Sequence, residues 1–210
     1  DCMQALAGVY SGIFHTHHKF YTKIVALCEM LGDNAYKGSS GYKIDHYHEL
    51  MLSIFGDDNE DISDVYEAFF TSISRANAVI QYFGEGTSEI QRRAVAEAKV
   101  MRAFWYYHLL CNFGDVPFYT EYVKDSDDMN RIACLGRMSS VDTRTYLIDE
   151  LVETLSEGEG AGECPLPAVK ACDIENGRGG WALGQMLIAK MAMWNAAQDD
   201  PSEQTYWYTT

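Results

Sequence analysis

The sequence predicts an all-α protein built from antiparallel helical hairpins. Three observations carry this. Over 61–83, Ile62, Val65, Tyr66, Phe69, Phe70, Ile73, Ala76, Asn77, Ile80 and Phe83 recur every three or four positions, the spacing at which helical side chains return to one face. A second run of that period follows, with the sharpest start and stop signals in the chain. Between them Gly84-Glu85-Gly86-Thr87 leaves room only for a turn, which folds the second helix back on the first.

Taken in order, residues 2–14 give a first helix with Met3, Leu6, Val9, Tyr10 and Ile13 on one face. Residues 19–31 give a second, with Phe20, Ile24, Leu27, Cys28 and Leu31 facing in. The Gly-, Ser-, Asn- and Asp-rich stretch 32–42 reads as a long loop, and helical character returns around 46–54. Asp57-Asp58-Asn59-Glu60-Asp61 places negative charge where the next helix dipole favours it. That helix runs to Phe83.

The helix that follows opens on a capping box, Ser88 with Gln91 three residues on. Ile90, Ala94, Ala98, Met101, Trp105 and Leu109 form one stripe, and Val95, Val100, Ala103, Tyr107 and Leu110 a second beside it. A helix apolar over that much of its circumference is covered on at least two sides. Gly114 is placed to end it in a left-handed conformation, and Pro117 prevents its resumption. Residues 118–140 read as another loop with an acidic patch at Asp125, Asp127 and Asp128. Over 142–156, Tyr146, Ile148, Leu151, Val152 and Leu155 face in, and Asp149, Glu150 and Glu153 face out. The last helix spans 180–197, with Leu183, Met186, Leu187, Lys190, Met191 and Trp194. The tail 199–210 has no clear order.

Composition bounds the function. The chain has 210 residues, 47% of them apolar, enough for one substantial core. No run of about 18 uncharged apolar residues exists to cross a membrane as a helix, and the residues from Asp1 on show neither the basic nor the hydrophobic region of a signal peptide. With 16 Lys+Arg against 31 Asp+Glu the formal net charge is −15, which repels phosphate backbones and makes nucleic acid an unfavourable partner. Neutral sugars meet no such penalty. Of the six cysteines, Cys28 and Cys111 lie in apolar helical stretches and read as buried free thiols. Cys164 and Cys172 flank a Pro-containing loop, a placement compatible with a disulfide in an oxidising compartment. Cys2 follows no hydrophobic signal and is not assigned as a lipid anchor.

The run Ala96, Glu97, Ala98, Lys99, Arg102, Ala103, Phe104, Tyr106, Tyr107, then Asn112, Phe113, Gly114, Asp115, Val116 and Pro117, resembles the signature of the SusD/RagB family of nutrient-binding lipoproteins. Looser likenesses are the opening Ala5-Leu6-Ala7-Gly8-Val9-Tyr10, Leu166-Pro167, and Gly177-Arg178 with Leu187-Ile188-Ala189-Lys190. The resemblance implies a tetratricopeptide-like stack of helical hairpins, with residues 1–210 as the helical N-terminal domain of a longer protein. It also implies non-catalytic capture of an oligosaccharide or other nutrient at the outer-membrane surface, and delivery to a SusC-like TonB-dependent transporter. The competing reading is a tetratricopeptide-like protein-interaction scaffold without a glycan site.

For a sugar, an aromatic plane must meet the C–H face of the ring while amides and carboxylates meet its hydroxyls. Asp33, Asn34, Tyr36, Tyr42 and Tyr47 offer that mixture in one loop region, and the resemblance adds motif support at Asp33 and Asn34. The alternative is a solvated loop whose tyrosines fold back on the helices. Glu97, Lys99, Arg102, Asn77, Gly114, Asp115 and Pro117 read as structural members of the signature. Arg102 is expected to pair with Asp115 or another internal carboxylate, and Trp105 and Trp194 to lie in the core. His15, His17 and His18, and Asp45-His46 with His48-Glu49, lack the spacing of a zinc protease helix. No phosphate-cradling loop or nucleophile elbow appears, so catalysis, metal and cofactor have no sequence support.

Overall fold

The computed structural model describes residues 1–12, 21–32, 35, 45–156, 164–167 and 178–198. Its described helices are α1 (Cys2–Tyr10), α2 (Tyr21–Met30), α3 (Asp45–Leu52), α4 (Glu60–Phe83), α5 (Glu89–Phe113), α6 (Ser126–Ala133), α7 (Ser140–Leu155) and α8 (Trp181–Gln198). Two short strands, β1 (Val116–Pro117) and β2 (Arg137–Met138), pair antiparallel with Val116 opposite Met138. The all-α expectation agrees with this architecture.

The described residues fall into two compact units, residues 10–72 in one, and 1–9 with 73–210 in the other, α4 running from the first into the second. In the smaller unit α2 and α3 pack together, and Asn59 starts α4. The Asn59 Oδ1 atom accepts from the backbone N–H groups of Asp61 at 3.1 Å and Ile62 at 3.3 Å, while its amide donates to Glu49 Oε2 at 2.9 Å. The cap is therefore the one amide within the acidic run, because only Asn both accepts from the helix and donates to α3.

In the larger unit, α7 and α8 form an antiparallel hairpin. The start of α7 meets the end of α8, where Arg144 Nε donates to Asn195 Oδ1 at 2.6 Å. The end of α7 meets the start of α8, where a Cβ on Gly184 would lie 2.5 Å from Leu155 Cδ1. Glycine permits that approach of helix to side chain. Helix α5 packs against both members of the hairpin. Its buried residues include Ala94, Ala96, Ala98, Val100, Met101, Ala103, Trp105, Tyr106, Leu109 and Leu110, whereas Val95 and Tyr107 of the second stripe are half-buried. The Ser88–Gln91 capping box forms, with Gln91 N–H on Ser88 Oγ at 3.2 Å. Gly114 closes the helix with φ +67° and ψ −131°, a positive-φ conformation open to glycine but outside the left-handed helical well that the sequence suggests.

Several expected orientations differ. Ile90 is exposed in the first turn of α5. Tyr146 and Val152 are exposed on α7, while Thr143 and Arg144 take the inward positions. On α8, Met186 and Lys190 are exposed, and Gly184, Leu187, Ile188, Met191, Ala192, Asn195 and Ala196 are buried. A helix this apolar all round carries no period from which its inner face can be read. Residues 118–140 are not simply a loop. Asp125 caps α6, accepting from Asp127 N at 3.0 Å and Asp128 N at 2.9 Å, so the acidic patch is a helix start. Cys28 and Cys111 are exposed, and Cys164 is a free, half-buried thiol whose S–H faces Thr154 O at 3.7 Å. Cys111 points about 100° round the helix from the buried Leu110 and about 200° from the buried Leu109. Cys172 lies outside the described residues.

Candidate functional site

Of the sugar-contact candidates, Asp33, Asn34, Tyr36 and Tyr42 lie outside the described residues. Tyr47 is half-buried on α3. His46 Nε2 stands 3.6 Å from Glu60 Oε2. No cluster of three or more metal-binding side chains occurs among the described residues, and no described helix is long and apolar enough to cross a membrane.

The signature residues build a polar network through the larger unit. Asn77 and Arg102 are both fully buried. Arg102 Nη1 donates to Asn77 Oδ1 at 2.7 Å, and Nη2 donates to Glu150 Oε1 at 2.5 Å. The carboxylate thus comes from α7, not from Asp115, and Glu150 faces in rather than out. Asp115 is exposed and already engaged: its Oδ1 accepts from Ser140 N at 2.7 Å, holding the first amide of α7. Asn77 uses its amide nitrogen on the loop after β1, donating to Tyr119 O at 3.3 Å and Glu121 O at 3.2 Å. The Tyr106 hydroxyl donates to Tyr119 O and accepts from Tyr119 N, both at 3.1 Å. One turn beyond Asn77, Gln81 Oε1 accepts from Tyr122 N at 3.1 Å. The loop backbone is thereby stitched along α4 by side chains alone, which satisfies polar groups that no strand pairing reaches.

Glu97 is fully buried and receives two guanidinium groups. Arg93 donates to Oε1 at 3.2 Å, and Arg178 grips both oxygens, at 3.1 and 2.6 Å. This fork fixes the chain just ahead of α8 against the middle of α5. Lys99 is half-buried. Arg144, which sequence reading missed, is fully buried, stacks 4.3 Å from the Trp194 ring and donates to Gln198 Oε1. Trp105 is fully buried, whereas Trp194 is half-buried beneath this cation. An arginine on a helix whose period looks ordinary carries no sequence signal of its partner.

His108 sits against Phe104 and Tyr107 on α5. Burial, and then the Lys190 ammonium, push its pKa down to about 4. Burial and the neighbouring Cys111 push Tyr107 up to about 12. The neutral imidazole is favoured by the fold, while the unfolded chain takes up a proton near pH 6.5. Stability contributed by His108 is therefore complete above about pH 6.5 and lost as pH falls towards 4, by about 1–3 kcal/mol. His108→Gln is expected to flatten the pH dependence of the urea midpoint in that window; an unchanged slope would remove His108 as its source.

The helical fold has solved counterparts. No family model matches the chain. In sequence it is 31% identical over 136 residues to SusD-like protein P2 of Formosa agariphila, an overlap covering 63% of this chain and 26% of that protein. Surface glycan-binding protein A from Bacteroides uniformis matches with a TM-score of 0.73 at 22% identity, over 98% of this chain and 43% of the other. Surface glycan-binding protein A from Bacteroides thetaiotaomicron, solved in complex with laminarihexaose, gives 0.72 at 17% identity, over 98% and 40%. A SusD-like carbohydrate binding protein from Bacteroides fragilis gives 0.67 at 19% identity, over 99% and 39%.

The chain spans about a quarter of the length of the curated relative and about two-fifths of the solved ones. It has the helical fold of SusD-like proteins. Fold and sequence match together support membership of the SusD/RagB family over this partial region.

Proposed function

We propose that this chain is the helical portion of a surface glycan-binding protein that holds an oligosaccharide without transforming it. The observation that carries this reading is the match of nearly the whole chain to a glycan-binding protein solved with a bound hexasaccharide. The SusD-like sequence match supports it independently. In this reading the protein sits on the outer membrane as a lipoprotein and passes its ligand to a SusC-like TonB-dependent transporter. Ligand contact falls to the loop holding Asp33, Asn34, Tyr36 and Tyr42, with Tyr47 beside it. Affinity of such a site lies between about millimolar and micromolar, roughly −4 to −8 kcal/mol.

Titration calorimetry against a panel of neutral oligosaccharides tests the reading. The Tyr36→Ala/Tyr42→Ala double variant is expected to bind about tenfold or more weakly with unchanged helicity. Equal binding in a folded double variant would remove the loop from the site.

A second reading, a helical interaction scaffold, is favoured by one feature of α8. Ala182, Met186, Ala189, Met193 and Ala197 are all exposed along one side of that helix, an apolar stripe suited to another helix. A chain that binds no glycan of the panel but retains an amphipathic helical peptide would favour the scaffold.

A further inference from the structure

We propose that Tyr82 and Tyr122 form a second carbohydrate contact in the larger unit, selective for neutral, gluco-configured pyranose residues. The proposal rests on the glycan-binding reading and adds to it a location and a ligand class. Tyr82, in the last turn of α4, is 62% exposed, the most exposed aromatic side chain among the described residues. Its ring stands edge to face with that of Tyr122, with centroids 5.7 Å apart and planes at 62°. Surface tyrosines ordinarily lose rotamer freedom on binding. Here much of that ordering is already present. The Tyr122 backbone is held by Gln81 Oε1, and the loop before it is held at Glu121 by Asn77 and at Tyr119 by Asn77 and Tyr106. The Tyr122 ring in turn supports Tyr82 from one side.

The rim decides the class of ligand. Arg131 Nη2 lies 2.6 Å from Glu121 Oε2 and 3.2 Å from Asp128 Oδ1, so one cation is shared by two carboxylates, one of them on the residue before Tyr122. These groups offer donors and acceptors to hydroxyls, and the segment that holds them sets Glu121, Asp125, Asp127 and Asp128 against Lys124 and Arg131, a negative balance in keeping with the net charge of −15. A uronate or sulfated sugar would be repelled. A sugar with all hydroxyls equatorial presents a broad C–H face to a ring and its hydroxyls to the rim, the division of labour that this surface offers.

The test titrates the 210-residue chain with laminarihexaose and the rest of the neutral panel, and with an oligogalacturonate as the anionic probe. Because Tyr82 is exposed, Tyr82→Ala leaves the fold intact, which circular dichroism checks. Expected results are about tenfold weaker binding of the neutral ligand in Tyr82→Ala, binding retained in Tyr82→Phe, and no binding of the anionic probe. If the wild-type chain binds a neutral glycan and Tyr82→Ala binds it equally well, the platform is overturned while the glycan reading stands. Preference for the oligogalacturonate overturns the ligand class. If the wild-type chain binds no member of the panel, the glycan reading itself fails and the platform fails with it.

Discussion

Arg102→Met lowers the stability of the chain by about 3–5 kcal/mol, the scale measured when one member of a buried ion pair is removed. The methionine fills much of the arginine stem volume, so the loss is electrostatic rather than a cavity effect. Glu150 would keep a carboxylate in the interior with its cation gone, and Asn77 Oδ1 would lose its donor. The pair is already incompletely satisfied: Arg102 Nε and Glu150 Oε2 have no hydrogen-bond partner among the described residues. Removing both charges, as in Arg102→Met/Glu150→Leu, should therefore recover most of the loss, since the cost of the single variant is mainly the stranded charge. Urea denaturation of the three proteins checks this. A double variant as unstable as the single one would show that packing, not charge, sets the effect. Thermal midpoints should fall by roughly 10 °C for the single variant.

Glu97→Ala is expected to cost about 2–4 kcal/mol. The carboxylate is fully buried and holds two guanidiniums, so its loss leaves Arg93 and Arg178 facing each other across an empty site. Side chains of both arginines remain partly exposed, at 27% and 17%. Water can take over some of their hydrogen bonds, which is why the effect is set below that of a fully enclosed pair. Glu97→Gln keeps an acceptor for the Arg178 fork and should lose less. Equal urea midpoints for wild type and Glu97→Ala would mean that the fork contributes orientation but no stability. Because Arg178 lies just ahead of α8, hydrogen exchange in the first turn of α8 should rise before exchange elsewhere.

The helices were legible because their determinants are local. Ser88 and Gln91 are three residues apart, and the stripe of α4 needs only its own period. The helix within 118–140 was missed because its cap, Asp125, looks in sequence like one more acidic residue. The partner of Arg102 was not legible either. Glu150 is 48 positions away, and its helical period places it with the outward carboxylates Asp149 and Glu153. Asp115 was the nearer candidate in sequence, yet its oxygen is committed to the start of α7.

By itself, then, the sequence determined the all-α class, the two long helices α4 and α5, and a resemblance specific enough to point at glycan capture. Periodicity and capping are written within a turn or two of each residue. Only the tertiary structure decided which charges meet, which cysteines face water, which side of α8 is left apolar, and that Tyr82 and Tyr122 share one surface. Each of those depends on segments tens of residues apart, and a buried charge takes whichever partner the packed helices bring within about 3 Å.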